Sequence, residues 1–98
     1  MTKSKPDFHG INLNSLRQSA EHLSAHILAT PTIFAPSLSK LLGASVHLKL
    51  ENLQYTSSFK SRGAFLALKA LKDEDKKVGV ISMSAGNHAQ ALAFRSQQ

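Results

Sequence analysis

Apolar residues near the start of the chain are spaced three or four positions apart. This spacing predicts an amphipathic helix from about residue 13 to residue 28. Asn12 or Asn14 can cap its start, and Thr30 ends it because a residue before proline avoids helical backbone angles. The apolar stripe consists of Leu16, Ala20, Leu23 and Ile27.

A strand, a short helix and a second strand are predicted next. Thr32–Phe34 is a strand candidate, and Pro36 begins a short helix that Gly43 closes, since glycine accepts the left-handed backbone of a helix end. Residues 45–51 (SVHLKLE) alternate apolar and polar side chains, which predicts a strand with one buried face. The apolar positions of this strand are Val46, Leu48 and Leu50.

The second half of the chain predicts two further helices separated by a strand. The first helix runs from Ser58 to about Lys72, and residues 78–83 (VGVISM) are an uninterrupted apolar run typical of a strand covered on both faces. Residues 84–87 then turn into a helix that contains AQALAF. The apolar stripe of the first helix is Phe59, Gly63, Leu66 and Ala70. This alternation predicts an α/β fold with a partial, open, mainly parallel sheet and flanking helices.

The strand at residues 78–83 needs a neighbouring strand on each side. Three short strands in one chain do not supply enough of them. We therefore expect residues 1–98 to be a single incomplete domain, the N-terminal fragment of a longer α/β protein.

Composition and charge narrow the classes of function. The 98 residues contain no cysteine, which excludes disulfides, zinc–thiolate sites and thiol catalysis. No apolar run could span a bilayer and no secretory signal is recognisable, so we expect a cytoplasmic protein with no membrane partner. The net charge is +6, but the basic residues are scattered, so we expect no nucleic-acid partner. Residues 73–77 (DEDKK) are predicted to be a solvated loop.

Two predicted strand-to-helix turns could carry chemistry, residues 56–60 (TSSFK) and residues 84–90 (SAGNHAQ). A helix N-terminus presents unpaired backbone N–H groups and a partial positive charge, so it suits a carboxylate or a phosphate. Gly86 would let a ligand approach the backbone, and Ser84 and Asn87 add hydrogen-bonding side chains. The same residue types are also typical of an ordinary turn and helix cap.

Lys60 and a pair of histidines are further candidates for chemistry. The helix dipole disfavours a cation in the first helical turn and so favours the neutral amine that Schiff-base chemistry needs, which makes Lys60 a candidate for that chemistry. The alternative is an ordinary solvated lysine. His22 and His26 are four residues apart and could share a metal, but no third ligand lies near them, which favours two solvent-edge histidines and no metal site. A Ser-His-Asp catalytic triad remains an alternative, because its three residues can be far apart in the sequence and come together only in the folded protein.

The two turns taken together resemble a known family. Residues 49–64 (KLENLQYTSSFKSRGA), followed by SAGNHAQ, closely resemble the threonine dehydratase and serine racemase group of fold type II, tryptophan synthase β-like, pyridoxal-phosphate enzymes. The resemblance extends to Ala29–Thr32 (ATPT) and covers most of the chain after about residue 12. It implies the N-terminal part of that fold, pyridoxal 5′-phosphate as cofactor and a small amino acid as substrate.

The resemblance also implies roles for individual residues. Lys60 would form the Schiff base with the cofactor and remove the substrate α-proton, Phe59 would line the cofactor pocket, and Asn87 would hydrogen-bond the cofactor's phenolic oxygen. Arg62 is expected to have a structural role and no catalytic role. The turn that would hold the substrate carboxylate consists of Ser84, Ala85, Gly86, Asn87 and His88.

The reaction that the resemblance implies is β-elimination of L-threonine or L-serine to a 2-oxo acid and ammonia. Racemase-type relatives have a serine at the position of Ala85, and that serine can protonate the opposite face of the substrate, so alanine favours dehydration. The alternatives are a serine racemase or a 3-hydroxyaspartate dehydratase of the same family, or a non-catalytic remnant that serves as a binding or structural module.

The resemblance places other parts of the site beyond Gln98. These are the glycine-rich phosphate loop, the partner of the pyridine nitrogen and the divalent-cation site. We therefore expect residues 1–98 to be inactive by themselves, and the full-length parent to be a homo-oligomeric enzyme.

Overall fold

The computed structural model describes residues 9–98. In that range the chain is mainly helical and forms one small sheet. No helix there is both long enough and apolar enough to cross a bilayer. The elements are α1 (Leu13–Leu23), β1 (Thr32–Phe34), α2 (Pro36–Leu42), β2 (His47–Lys49), two 3₁₀ helices (Glu51–Leu53 and Tyr55–Ser57), α3 (Lys60–Lys69), α4 (Asp73–Val78) and α5 (Asn87–Ser96).

Helix α1 begins where the sequence predicts and ends earlier than expected. Asn12, rather than Asn14, is the cap: its side-chain oxygen accepts a hydrogen bond from the Ser15 N–H at 2.9 Å, and Ser15 Oγ accepts one from the Asn12 N–H at 3.0 Å. At the other end the Ser24 hydroxyl donates to the Glu21 carbonyl at 2.9 Å. This local bond competes with continuation of the helix.

The small sheet differs from the predicted one. β1 and β2 pair antiparallel, with Ile33 opposite Leu48, so the prediction of a mainly parallel sheet is wrong for these strands. Gly43 ends α2 in the left-handed conformation, with φ of 63°, and the chain turns back so soon that β2 runs against β1. Leu48 is 38% exposed and Val46 and Leu50 are half-buried, so residues 9–98 cover only part of the face that was predicted to be buried.

Residues 78–83 do not form the predicted strand. Val78 is the last residue of α4, and residues 79–84 have no regular structure. Ile81 and Met83 are 98% and 99% exposed. A strand requires a hydrogen-bonded neighbour, and within residues 9–98 no segment pairs with this one.

The acidic and basic residues at positions 73–77 form most of α4 rather than a loop. The three acidic residues lie in its first turn and the two lysines in its last turn, so the charges complement the helix dipole. Lys76 Nζ lies 3.8 Å from Asp73 Oδ1, and the helix is exposed, as the solvated character of the sequence predicts.

The buried centre of residues 9–98 lies where α3 packs against α5. Ala64 of α3 and Ala91 of α5 are 3% and 0% exposed, and such small side chains let the two helices approach closely. Leu23, at the end of α1, is also buried. The predicted apolar stripes are only partly covered, since Leu16 is 57% and Phe59 60% exposed.

Candidate active site

The segment that leads into α3 contains two residues with a left-handed backbone. Thr56 has φ of 62° and Ser57 has φ of 59°. This conformation is uncommon outside glycine, and it is least favourable for a β-branched residue such as threonine. Thr56 Oγ1 is also buried without a hydrogen-bond partner in the described part of the chain. Strain of this kind persists only where the surrounding structure holds it, and it is typical of functional sites.

Lys60 lies in the first turn of α3, as the sequence predicts, but the helix begins at Lys60 rather than Ser58 and ends at Lys69 rather than about Lys72. Its N–H donates a long hydrogen bond to Ser58 Oγ, at 3.4 Å. The side chain is exposed, and Nζ lies 5.1 Å from the centre of the Phe59 ring. Among residues 9–98 no carboxylate pairs with this amine. The amine is therefore available to react with an aldehyde.

Arg62, two residues after Lys60, anchors α3 to Glu51. Its Nε and one terminal nitrogen each donate to a different oxygen of the Glu51 carboxylate, both at 2.8 Å, and the Thr30 hydroxyl donates to the same carboxylate. These hydrogen bonds, that from Arg62 above all, outweigh burial and lower the pKa of Glu51 from 4.5 to about 2. The pair raises the pKa of Arg62 in turn. Arg62 thus has a structural partner at this position.

The ATPT segment is hydrogen-bonded to the residues that precede α3. Lys49 Nζ donates to the Thr30 carbonyl at 2.6 Å, and the Gln54 side chain bonds both the N–H and the carbonyl of Leu28, each at 2.9 Å. Thr30 and Gln54 are 7% and 3% exposed. The ATPT segment and the residues that precede α3 are therefore joined by hydrogen bonds around the Glu51 carboxylate.

Residues 84–88, the part of the second predicted turn assigned to the substrate carboxylate, lead into α5, which begins at Asn87. The Gly86 N–H donates to Ser84 Oγ at 3.1 Å, and the Gln90 N–H donates to the Gly86 carbonyl at 2.9 Å. The backbone N–H groups of the first helical turn have no helical acceptor, so they can hold an anion. A Cβ built on Gly86 meets no atom within 4 Å, so the approach to this turn is open.

The structure places both turns on one packed pair of helices. α3 and α5 are in contact, and Lys60 and Asn87 are their first residues. Phe59 adjoins Lys60, and residues 84–88 are largely exposed. No hydrogen bond within residues 9–98 joins one turn to the other. The assignment of Lys60, Phe59 and Asn87 to the cofactor, and of the turn to the substrate carboxylate, stays a prediction.

Within residues 9–98 the histidine pair is not joined by a third ligand-type side chain. In the described part of the chain, no three His, Asp or Glu side chains converge closely enough to hold a metal ion. His22 and His26 are both exposed, and the His26 ring stacks on Phe65 with a centroid distance of 4.3 Å.

Arg95 is a residue that sequence reasoning missed. It is 5% exposed, and its Nε donates at 2.8 Å to Oγ of Ser61, a fully buried side chain next to Lys60. The signal in the sequence is slight: an arginine at the end of the apolar run AQALAF. Glu51 was missed as well, since its partner Arg62 lies eleven positions away and only the fold brings them together.

Comparisons with known proteins agree with one another. A protein-family profile described as "Pyridoxal-phosphate dependent enzyme" matches residues 23–98. Over 87 residues the chain is 39% identical to the L-threonine ammonia-lyase of Thermotoga maritima, covering 89% of this chain and 22% of that protein. Over 80 residues it is 42% identical to the L-threo-3-hydroxyaspartate ammonia-lyase of Pseudomonas sp, covering 82% of this chain and 25% of that protein.

The fold also matches solved structures. The crystal structure of serine racemase from Dictyostelium discoideum superposes with a TM-score of 0.77 at 36% identity, covering 89% of this chain and 29% of that one. The chain spans about a quarter of the length of the curated relatives it matches. The matched residues 23–98 include both turns described above.

Proposed function

This chain belongs to the family of pyridoxal-phosphate dependent enzymes, and from that premise we propose that the complete protein converts L-threonine or L-serine to a 2-oxo acid and ammonia. The predicted family, its tryptophan synthase β-like fold and its cofactor are confirmed by the family match and the solved structures. Relatives named L-threonine ammonia-lyase and L-threonine dehydratase support the choice of reaction.

The residues present fit the cofactor. Pyridoxal phosphate carries an aldehyde, a phenolic oxygen and an aromatic ring. Lys60 offers an amine without a carboxylate partner in residues 9–98, Phe59 an exposed ring beside it, and Asn87 a side-chain amide at the start of α5. We propose that these three residues hold the cofactor. When bound, the cofactor supplies an electron sink for negative charge at the substrate α-carbon.

Lys60 and the turn at residues 84–88 act on the substrate itself. The backbone N–H groups at the start of α5 would hold the substrate carboxylate, assisted by the Ser84 hydroxyl. The Lys60 amine would accept the α-proton, since an unprotonated amine within reach acts as a general base. A fixed carboxylate presents the α-carbon to the amine in one orientation, which lowers the entropic part of the barrier.

The observation that carries the proposal is the contrast between Lys60 and the two residues after it. Ser61 is buried and hydrogen-bonded to Arg95, and Arg62 is paired with Glu51. The Lys60 amine is exposed and has no carboxylate partner in the described part of the chain. A free amine on an anchored helix start is what cofactor attachment requires.

Borohydride reduction of the complete protein with its cofactor tests the assignment. We expect the reduced cofactor to be recovered on the peptide that contains Lys60. Lys49 and Lys69 are internal controls, because the Lys49 amine donates to the Thr30 carbonyl and Lys69 lies at the opposite end of α3 from Lys60. Lys60→Ala should abolish turnover and Lys69→Ala should not; label on Lys49 or Lys69 would contradict the assignment.

Serine racemisation is the second candidate, and it is favoured by the match to the Dictyostelium serine racemase structure. Dehydration of 3-hydroxyaspartate is supported by the Pseudomonas relative. Chiral chromatography of the products, run beside 2-oxo acid release from L-threonine, L-serine and 3-hydroxyaspartate, separates the three. A complete protein that binds no pyridoxal phosphate would instead favour a non-catalytic remnant.

A further inference from the structure

Arg95 joins three parts of the chain through one guanidinium group. Its Nε donates to Ser61 Oγ of α3 at 2.8 Å, and one terminal nitrogen donates to the His26 carbonyl, beyond α1, at 2.7 Å. The other terminal nitrogen donates to Gln98 Oε1 at 2.8 Å. Helix α5 is thereby tied to α3 and to the segment that follows α1.

The guanidinium is a buried charge without a carboxylate partner in residues 9–98. Its carbon lies 5.5, 5.6 and 5.0 Å from the ring centres of Tyr55, Phe65 and Phe94. Burial lowers the pKa of Arg95 below its ordinary value. The three hydrogen bonds and the three rings offset only part of the cost of burying a cation that has no anionic partner, so an apolar side chain would suit this position if stability were its only requirement.

We infer that Arg95 is a positioning residue that fixes the first turn of α3 against α5, and so fixes the Lys60 turn relative to the turn at residues 84–88. The inference rests on the proposed role of Lys60. Ser61, the residue that Arg95 holds, follows Lys60 directly and is 0% exposed. Asn87 begins the helix on which Arg95 lies.

The first turn of α3 is held from two sides. Arg95 binds Ser61, and Glu51 binds Arg62. The Lys60 backbone is therefore fixed while its side chain stays free to move. Loss of the Ser61–Arg95 bond would let α3 and α5 shift against each other, and a displacement of about 1 Å between reacting groups can cost about two orders of magnitude in rate.

Two substitutions weaken this contact in different ways. Arg95→Lys keeps the positive charge but cannot reach three acceptors, because an ammonium lacks the planar fork of a guanidinium. Ser61→Ala keeps Arg95 and removes only the acceptor on α3. Arg17→Lys is the matched control, since Arg17 is an exposed arginine on α1.

The first measurement uses the complete protein with its cofactor. Visible circular dichroism per bound cofactor reports how rigidly the cofactor is held, and kcat and KM report positioning and binding separately. We expect Arg95→Lys and Ser61→Ala to lower the ellipticity per bound cofactor and to reduce kcat about tenfold, with KM changed less than about twofold. Arg17→Lys should match the unmodified protein in all three.

The second measurement uses the cofactor-free complete protein. Hydrogen exchange should quicken about threefold or more in peptides covering residues 58–66 and 84–92 of both variants, and stay unchanged over residues 13–23. This readout does not require Lys60 to be the cofactor lysine.

The outcomes separate the inference from the proposed function. A lower melting temperature with unchanged ellipticity per bound cofactor, kcat and exchange would make Arg95 merely structural and would overturn the inference. Failure of the proposed function has another signature, namely borohydride label absent from Lys60 in the unmodified protein. In that case the exchange measurement alone supports or overturns the coupling of the two turns.

Discussion

Glu51 is an acid whose charge is coupled to the folded structure. Hydrogen bonds, chiefly from Arg62, hold its pKa at about 2 instead of 4.5. A pKa that is depressed by folding adds stability above about pH 4.5, and that stability is lost as the pH falls from there through about 2. We expect Glu51→Gln to lower the free energy of unfolding by about 2 kcal/mol at neutral pH, and by progressively less in that acidic window.

The melting temperature of the complete protein, measured from neutral pH down into that window, checks this expectation. The difference between the unmodified protein and Glu51→Gln should narrow as the pH falls. Glu21→Gln on exposed α1 is the matched control and should show a small difference throughout. A difference that stays constant with pH would show that the carboxylate charge is not the cause.

Ala85 bears on the choice between elimination and racemisation. Two-base racemisation needs a proton donor on the substrate face opposite Lys60, and an alanine side chain has no proton to deliver. We expect Ala85→Ser to raise the D-serine yield of the complete protein measurably while cofactor binding is unchanged, because Lys60 and Asn87, the residues proposed to hold the cofactor, are untouched. Chiral chromatography beside 2-oxo acid release measures both products.

Ala89→Ser is the control for that experiment, because it introduces the same hydroxyl on α5 outside the turn. It should leave the D-serine yield at the level of the unmodified enzyme. Abundant D-serine from the unmodified enzyme would refute the argument, since protonation would then use another donor.

At the scale of the elements, the Asn12 cap is a short-range feature whose contribution to the free energy of unfolding can be measured. Its side chain and that of Ser15 satisfy each other's backbone N–H at the start of α1. We expect Asn12→Ala to lower the free energy of unfolding of the complete protein by about 1 kcal/mol. Asn14→Ala is the control, since Asn14 lies inside α1 and is exposed, and it should have no such effect. Chemical denaturation of both variants measures the difference, and equal losses would contradict the assignment of the cap.

Element ends were predictable from sequence where the signal is local. Pro36 at the start of α2 and Gly43 at its end both lie where the sequence predicts. Each of these positions is determined by the backbone preferences of one or two residues. Such preferences act within a few positions and do not depend on the rest of the fold.

The sheet was predicted less well, because strands depend on distant partners. The apolar run at residues 78–83 has the composition of a buried strand but pairs with nothing within residues 9–98. The direction of β2 relative to β1 follows from the turn after α2, which the alternation of apolar and polar residues does not report. Periodicity therefore indicated strand-like segments but neither their direction nor their pairing.

At the scale of the whole molecule, the chain exposes more surface than a compact protein of its size. Its accessible surface is 8059 Å², whereas about 5,500 Å² is expected for a folded monomer of this mass. Its radius of gyration is 17.1 Å, against about 13 Å for a compact domain of this length. Among the described residues, the three most exposed large apolar side chains, Val78, Ile81 and Met83, lie in residues 78–83.

We expect the 98-residue chain, expressed alone, to associate or to unfold without a sharp transition. An exposed, uncharged apolar segment with high strand propensity pairs readily with the same segment of another copy. Ile81→Lys should therefore reduce association in sedimentation velocity. Leu41→Lys is the control, because Leu41 is 78% exposed but lies on α2, and it should reduce association less. A dispersed monomer with a sharp cooperative melt would contradict the expectation.

The candidate site was predictable only in its contiguous parts. Lys60 with its neighbour Phe59, and the turn at residues 84–88, are short motifs that can be read along the chain. The contacts that support them, Glu51 with Arg62 and Arg95 with Ser61, join residues 11 and 34 positions apart. Only the packing of α3 against its surroundings shows these contacts.

At Thr56, the residue that would give the most stable fold differs from the residue that would hold the segment before Lys60 most firmly. Glycine would adopt its φ of 62° without the steric penalty of about 1–2 kcal/mol, and would remove a buried hydroxyl that has no partner in the described residues. The same glycine would loosen the chain just ahead of Lys60. A library screened for heat resistance alone should therefore enrich glycine at this position, and its most stable members should hold the segment ahead of Lys60, the proposed cofactor lysine, least firmly.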